Sequence, residues 1–432
     1  MDIPPEDITF QGDIQCNKLM RKLIRDVPLK SIFHLFLVRG SIYLFPFITL
    51  PVITRGLGVT QFGILSIFLA AQQYLIMLVE YGFTLTGARD ISRSSDKNQD
   101  DNILSEILAC RFVIFIFCSI IVLITYFFLP ESGYAGCYLI LIFTVLSSVG
   151  NQTHFFIGKE RTGFIVISTS ITRVISILIV IFFVKDKEDI YIAMLAYSMN
   201  VALPNILSTI HLKYSLKYKT FRRVPCDELL LRFRSGFDIF ISNVFTNVYS
   251  TLTLIYLGSV RGPTETGYYS SADKLKAAAQ GVLSPVAQAF FPRVSKKQGR
   301  DFYLLWRKST FILVGFSLFI VAGLLLFSQL IYQIFLGEQY LAGLPIYYIL
   351  SFSIISISFG IAYAQNLYLT QGKTKLLRLI YFTVSILHMV HMPILVHYYG
   401  AIGAALSVLI TESLASLLMF SFRKKCFSWS QN

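Results

Sequence analysis

The run FVIFIFCSIIVLITYFFL, Phe112 to Leu129, places eighteen residues in a row without a formal charge. As an α-helix rising about 1.5 Å per residue it covers roughly 27 Å, close to the ~30 Å hydrocarbon core of a bilayer. A membrane β-barrel would instead alternate apolar and polar residues over strands of about ten, and this run does not alternate. Moving outward, Phe164–Val184 repeats the pattern with Arg173 as its one charged interruption. Of the 432 residues, 55% are hydrophobic and 14% charged, and mean hydropathy is +0.63. Soluble domains carry about a quarter charged residues, so lipid is the main solvent here. The expected fold is an all-α polytopic membrane protein of about twelve transmembrane helices. The spans fall at 31–53, 61–83, 104–129, 136–157, 164–184, 190–210, 237–258, 267–291, 309–336, 343–369, 379–398 and 401–422.

The net charge of +14 would suggest nucleic acid in a soluble chain. Its distribution points elsewhere, and no nucleic-acid partner is expected. Numbered from a cytoplasmic N-terminus, the inner segments hold 29 of the 38 Lys and Arg, the outer loops four and the spans five. That bias is the positive-inside signal, and it predicts both termini in the cytoplasm. The first 30 residues lack an apolar signal core, so no cleavable signal peptide is expected. The outer loops are too short for a large external domain.

Two lobes are expected from an internal echo. Gly58-Val-Thr-Gln-Phe-Gly63 precedes the second span, and Gly262-Pro-Thr-Glu-Thr-Gly267 precedes the eighth, 204 residues on. Arg89 and Arg293 share that offset, and Gly158-Lys159 and Gly372-Lys373 form a looser echo. Matches at equivalent positions of two six-span units suggest parallel repeats, as in many transporters. The predicted organisation is a cytoplasmic extension 1–30, an N-lobe 31–210, a basic linker 211–236, a C-lobe 237–422 and a tail 423–432.

No GxxxxGK[ST], HExxH or GxSxG motif is present, so neither enzyme activity nor ATP hydrolysis is expected. The six cysteines form no CxxC pattern. His388, His391 and His397 share span 11, where a polar or interfacial role is favoured over metal binding. No metal or cofactor is predicted.

The informative residues are charges inside spans, because each costs about 2.5–3.5 kcal/mol at the bilayer centre and normally faces water or a partner. Arg39, Arg173, Lys274, Lys276 and Arg111 are basic, drawn from both lobes, and suited to an anionic headgroup such as a pyrophosphate. The competing reading pairs each with a nearby acid. Asp273 and Lys276 stand at i, i+3 and can pair, whereas Lys274 points about 100° away. Glu412 sits in mid-span with no basic residue at i±3 or i±4. Glu412, Asp273, Glu80 and Asp238 are candidates for coupling to a proton or sodium ion, although Glu80 and Asp238 stand near inner helix ends. Pro46, Pro51 and Pro285 predict bends.

Leu50-Pro-Val-Ile-Thr-Arg55-Gly-Leu-Gly58-Val-Thr-Gln-Phe-Gly63-Ile-Leu-Ser resembles the first-to-second-helix signature of bacterial O-antigen and polysaccharide flippases. Glu80-Tyr-Gly-Phe-Thr-Leu-Thr-Gly-Ala-Arg89-Asp-Ile-Ser, with Glu where the family often has Asp, is similar too. So is Gly267-Tyr-Tyr-Ser-Ser-Ala-Asp273-Lys274, continuing through Ser284-Pro285 to Phe291-Pro292-Arg293, with Glu commoner in the family at 273. The resemblance runs from span 1 to span 12. It implies two six-helix bundles around a central cavity, within the multidrug/oligosaccharidyl-lipid/polysaccharide exporter superfamily. It also implies alternating-access movement of an undecaprenyl-pyrophosphate-linked repeat unit to the periplasmic leaflet of the inner membrane, with ion coupling. A polysaccharide polymerase and a chain-length regulator are the implied protein partners. The alternatives are a drug/cation antiporter of the same superfamily, for which the mid-span charges are too basic, and a membrane glycosyltransferase or polymerase, for which the outer loops are too small.

Overall fold

The computed structural model describes residues 29–128, 132–219, 222–247 and 251–427, with side chains from Phe45 onward except at 132, 242 and 245–247. Among these residues the regular structure is helical and contains no strand. The N-terminal half holds α1 (Leu29–Glu80), α2 (Phe83–Arg93), α3 (Lys97–Phe128), α4 (Ala135–Val149), α5 (Thr153–Gly158), α6 (Gly163–Phe183) and α7 (Ile190–Ile210). The C-terminal half holds α8 (Cys226–Asn247), α9 (Thr253–Arg261), α10 (Pro263–Gly281), α11 (Leu283–Ser295), α12 (Gly299–Leu326), α13 (Ser328–Phe335), α14 (Leu344–Tyr363) and α15 (Thr374–Phe422).

Eight helical stretches among the described residues are long and apolar enough to cross a membrane. Two of them, Phe45–Arg93 and Thr374–Cys426, hold 49 and 53 residues, far beyond the ~20 that one crossing needs. Each is broken by a glycine: Gly58 at φ 71° and ψ 177°, and Gly400 at φ 57° and ψ −133°. A side chain is disfavoured at either position. At Gly400 the chain turns back on itself, so that a Cβ on Gly403 would lie 1.9 Å from the Leu395 carbonyl oxygen.

The spans bury narrow, small-residue stripes and turn bulky ones outward. On α6 the buried residues are Ser168, Thr172, Ser176 and Val180, one per turn, while Ile167, Val174 and Phe182 are exposed. In lipid, apolar side chains gain little by meeting each other, so helices associate through close packing of small residues and hydroxyl bonds. The 2.9 Å bond between Ser317 of α12 and Ser358 of α14 is of this kind.

Several boundaries differ from expectation; α12 begins at Gly299 rather than 309. α3 begins at Lys97 rather than 104, because helical hydrogen bonding continues past the lipid edge into a polar turn. There Asp100 is buried and receives Lys159 at 2.8 Å. The segment 211–236, expected as linker, is helical over much of its length, with a π-turn at His211–Ser215 and α8 from Cys226. The bend in span 8 falls at Val282, between α10 and α11. Pro285 lacks the N–H that would bond the Gly281 carbonyl, and its ring crowds that oxygen.

The two halves meet along α10 and the second part of α1. Gly262 adopts φ 85° and ψ 178°, nearly the angles of Gly58, its counterpart 204 residues earlier. A Cβ on Gly63 would sit 1.8 Å from the Pro263 carbonyl oxygen, and one on Gly267 would sit 2.2 Å from that of Val59. Thr60 bonds Thr264 at 3.0 Å, and Ser66 bonds Ser270 at 2.8 Å. Every one of these pairings joins equivalent residues or exchanges them, which is the signature of a local two-fold axis through the seam.

Candidate functional site

Lys274 lies one helical turn beyond the Ser66–Ser270 contact, half-buried, with its ammonium 5.5 Å from the centre of the Tyr197 ring. Tyr197 belongs to α7 and is held against α1 by Phe45, edge-on at 5.1 Å, and by the Thr49 hydroxyl at 3.4 Å. Nearby, Gln72 accepts from Ser198 at 2.7 Å, tying α1 to α7. A cation over an aromatic face is attracted by the ring quadrupole, worth about 0.5–2 kcal/mol according to how dry the site is. That contact holds Lys274 in place while leaving its three N–H donors able to meet an anion.

Lys276 is buried and bonds Asp273 at 2.7 Å. The i, i+3 spacing therefore produces an ion pair, and Lys274 is the basic group of this helix that turns toward the other half. Arg111 is wholly buried and donates from Nη1 to the Asn151 carbonyl. Asn151 in turn donates to Glu80 at 2.6 Å. The Arg111 Nε and Nη2 are buried and make no hydrogen bond among the described residues. Arg173 is half-buried on α6, beside the buried Thr172. The side chain of Arg39 lies outside the described residues. Asp238 is exposed on α8, and Glu412 is half-buried on α15, next to the buried Thr411. Among the described residues no group of three or more His, Cys, Asp or Glu could hold a metal ion.

Two further junctions between the halves were not anticipated from sequence. At the sparsely charged end, Arg55 donates to the carbonyls of Gln333 at 2.9 Å and Ile334 at 2.7 Å, and Gln339 donates to the Thr54 carbonyl at 3.0 Å. At the basic end, Arg232 of α8 donates to Asp90 and Glu106, each at 2.6 Å, and Arg222 reaches Glu106 at 3.4 Å. Burial alone would lower the Arg232 pKa, but hydrogen bonds and charge from Glu106 and Asp90 outweigh it and hold the guanidinium above its ordinary value. Beside this network Tyr81 stacks on Phe240 with ring centres 4.3 Å apart. The partners of Arg232 lie 126 and 142 residues away, beyond any local spacing rule. The seam had a signal that could have found its contacts, since the 204-residue echo already aligned Thr60 with Thr264.

The family model described as "Polysaccharide biosynthesis protein" matches residues 29–298. A protein of Shigella dysenteriae named "Putative O-antigen transporter" is 31% identical over 392 residues, covering 90% of this chain and 98% of its own. One of the same name from Escherichia coli K12 is 29% identical, covering 91% and 96%. Among solved structures, the lipid II flippase MurJ in an inward closed conformation superposes with TM-score 0.71 at 16% identity, covering 91% of this chain and 88% of its own. A multidrug resistance MATE family transporter of the MOP superfamily gives 0.69 in its inward-facing conformation, at 15% identity and 90% and 97% coverage. An outward-facing conformation of a multidrug resistance MATE family transporter gives 0.54, at 16% identity and 95% and 98% coverage. The likeness to these structures carries the fold, and the match over most of the chain carries the family: this chain belongs to the polysaccharide biosynthesis protein family.

Proposed function

We propose that this chain is a flippase that moves an undecaprenyl-pyrophosphate-linked O-antigen or other polysaccharide repeat unit from the cytoplasmic to the periplasmic leaflet of the inner membrane. The observation that carries the reading is the pairing of a tight seam with a cation just inside it. The halves touch without clearance between Val59 and Ser66 and between Pro263 and Ser270. One turn deeper, Lys274 presents a positive charge where α1, α7 and α10 converge. With the basic loops in the cytoplasm, the seam closes the periplasmic side and the anion-binding group is reached from the side where the lipid-linked sugar is made. Both termini are then cytoplasmic. The halves act as two six-span lobes joined through 211–236, and the gap between them lets the polyprenyl tail stay in lipid while the sugar crosses. The names of the O-antigen transporter relatives support this substrate class.

In this reading Lys274 binds the pyrophosphate, with Arg39 and Arg173 as further basic contacts, and Glu412, Asp273, Glu80 and Asp238 as candidate groups in coupling. A polymerase and a chain-length regulator take the unit onward. The test is a leaflet-resolved measurement of the lipid-linked intermediate in cells that lack the native gene and carry variants. Lys274→Ala is expected to slow flipping about tenfold or more at normal membrane abundance, the loss of one charge-assisted contact, with Lys274→Arg recovering part of it. Wild-type flipping by Lys274→Ala at normal abundance would remove the proposed anion site.

A further inference from the structure

A cleft of about 610 Å³ opens at the sparsely charged end, a volume within the ~300–1,000 Å³ of small-molecule sites. Arg55 lines one side and Gln333, Gly337, Glu338 and Gln339 line the other, so the two halves of the chain share it. A glycine builds the second wall. α13 ends at Phe335, the Leu336 and Gly337 amides both return to the Tyr332 carbonyl at 2.8 Å, and Gly337 at φ 94° turns the chain out of the helix. That left-handed turn suits glycine. It sets Gln333, before it, and Glu338 and Gln339, after it, around one opening. A second left-handed glycine brings up the N-terminal half: a Cβ on Gly58 would lie 3.5 Å from Gln339 Oε1 and 3.7 Å from Lys187 Cε.

The chemistry of the walls selects the ligand. Arg55 spends Nη2 on the last carbonyls of α13, the negative end of that helix dipole. Gln339 spends Nε2 on the Thr54 carbonyl at 3.0 Å and keeps Oε1 as an acceptor. Arg55, Gln333, Glu338 and Gln339 are all exposed. An anion entering here would meet the Glu338 carboxylate and a guanidinium already shared with a helix end. A metal cation would find one carboxylate in the wall, with Arg55 opposite. An apolar molecule would find no hydrophobic residue among the lining groups. The fit is to an uncharged molecule dense in hydroxyls, each able to donate and accept. The guanidinium donates, the carboxylate accepts, and the two carboxamides do both.

We propose that this cleft is an outer binding site for the sugar portion of the repeat unit, and that a sugar seated in it holds the seam shut. The inference rests on the flippase reading above, which supplies the glycan and places this end in the periplasm. Arg55 and Glu338 belong to different halves, so a ligand touching both fits only while the halves are together. Such a ligand multiplies the closed-to-open ratio by one plus its concentration over Kd, about elevenfold at ten times Kd. Glycan waiting outside therefore slows the delivery of more. The flippase is braked until a following glycosyl-transfer step consumes its product.

The experiment uses the full-length protein with three readouts. Calorimetry in nanodiscs measures binding of the repeat-unit oligosaccharide, released by mild acid from the cell's own lipid-linked intermediate and freed of phosphate. Thiol labelling of Thr60→Cys, an exposed seam position, reports opening. A fluorescent polyprenyl-pyrophosphate oligosaccharide in proteoliposomes reports flipping. Wild type is expected to bind the oligosaccharide, to label more slowly with it and to flip several-fold more slowly when it is outside. Glu338→Ala and Gln333→Ala are each expected to weaken binding about tenfold, with Glu338→Gln recovering part. Gly63→Ala, which forces the seam apart, is expected to weaken it too. Single units and the soluble polymer of them distinguish newly flipped product from assembled polysaccharide as the source, and binding of either that depends on Glu338 supports the cleft. No binding of either overturns it, as does binding that Glu338→Ala and Gln333→Ala leave intact or that Lys274→Ala or inorganic pyrophosphate abolishes. Binding that Gly63→Ala leaves at wild-type strength overturns the bridging of the halves. A wild type that flips no probe but binds the oligosaccharide through Glu338 sinks the flippase reading and leaves the cleft standing.

Discussion

The halves of this protein meet in two unlike ways. At the seam, backbone touches backbone through Gly63 and Gly267, with hydroxyl pairs above and below and no ions. At the basic end, long side chains do the work: Arg232 reaches Asp90 and Glu106, and Tyr81 stacks on Phe240. The seam is symmetric and has no slack. The basic end is asymmetric and has many rotatable bonds. A contact without slack is either made or absent, which suits a barrier that must open as a unit. A contact through long side chains can follow a moving helix, which suits the side that stays joined to the chain crossing between the halves.

The largest effect is expected where there is no slack. Gly63→Ala or Gly267→Ala places a Cβ against a backbone carbonyl, so a helix must shift. Overpacking of this kind costs about 1–3 kcal/mol, enough to lower the closed-to-open ratio by about fivefold or more. Cysteine labelling next to the seam should rise and flipping should fall, whereas Gly133→Ala, with open space around it, should change neither. An unchanged Gly63→Ala would mean that the seam is looser than its geometry. The basic end should respond less. Arg232→Ala leaves Glu106, 16% exposed, with Arg222 and Asp90, 24% exposed, with Arg89, and should cost about 1–3 kcal/mol, read as a lower melting temperature in detergent. Seam labelling should hardly move; a rise equal to that of the glycine variants would merge the two junctions into one. The smallest effect is expected at the clasp of Arg55 on Gln333 and Ile334, where water can replace both bonds. Arg55→Ala should cost about 0.5–1 kcal/mol and raise labelling only slightly.

Much of this architecture is readable in one dimension. Apolar runs of span length announce helices because lipid leaves the backbone no other partner. The echo of Gly58 in Gly262 announces matching turns because those dihedrals suit glycine and almost nothing else. Helix phase separated Lys274 from Asp273 and paired Lys276 with it. The same phase could not show that Arg111 is wholly buried and reaches the Asn151 carbonyl, since depth in the membrane does not say which way a helix face turns. Nor could it find the partners of His388, since Thr253 and Thr411 lie 135 and 23 residues away.

From the amino-acid order alone came the solvent, the helical secondary structure and the 204-residue echo, because each depends on local hydrophobicity or backbone preference. Tertiary packing alone decided which half touches which, that equivalent glycines exchange contacts across a two-fold axis, and which buried charge is spoken for. Those outcomes depend on distances between residues far apart in the chain, and no local rule contains them.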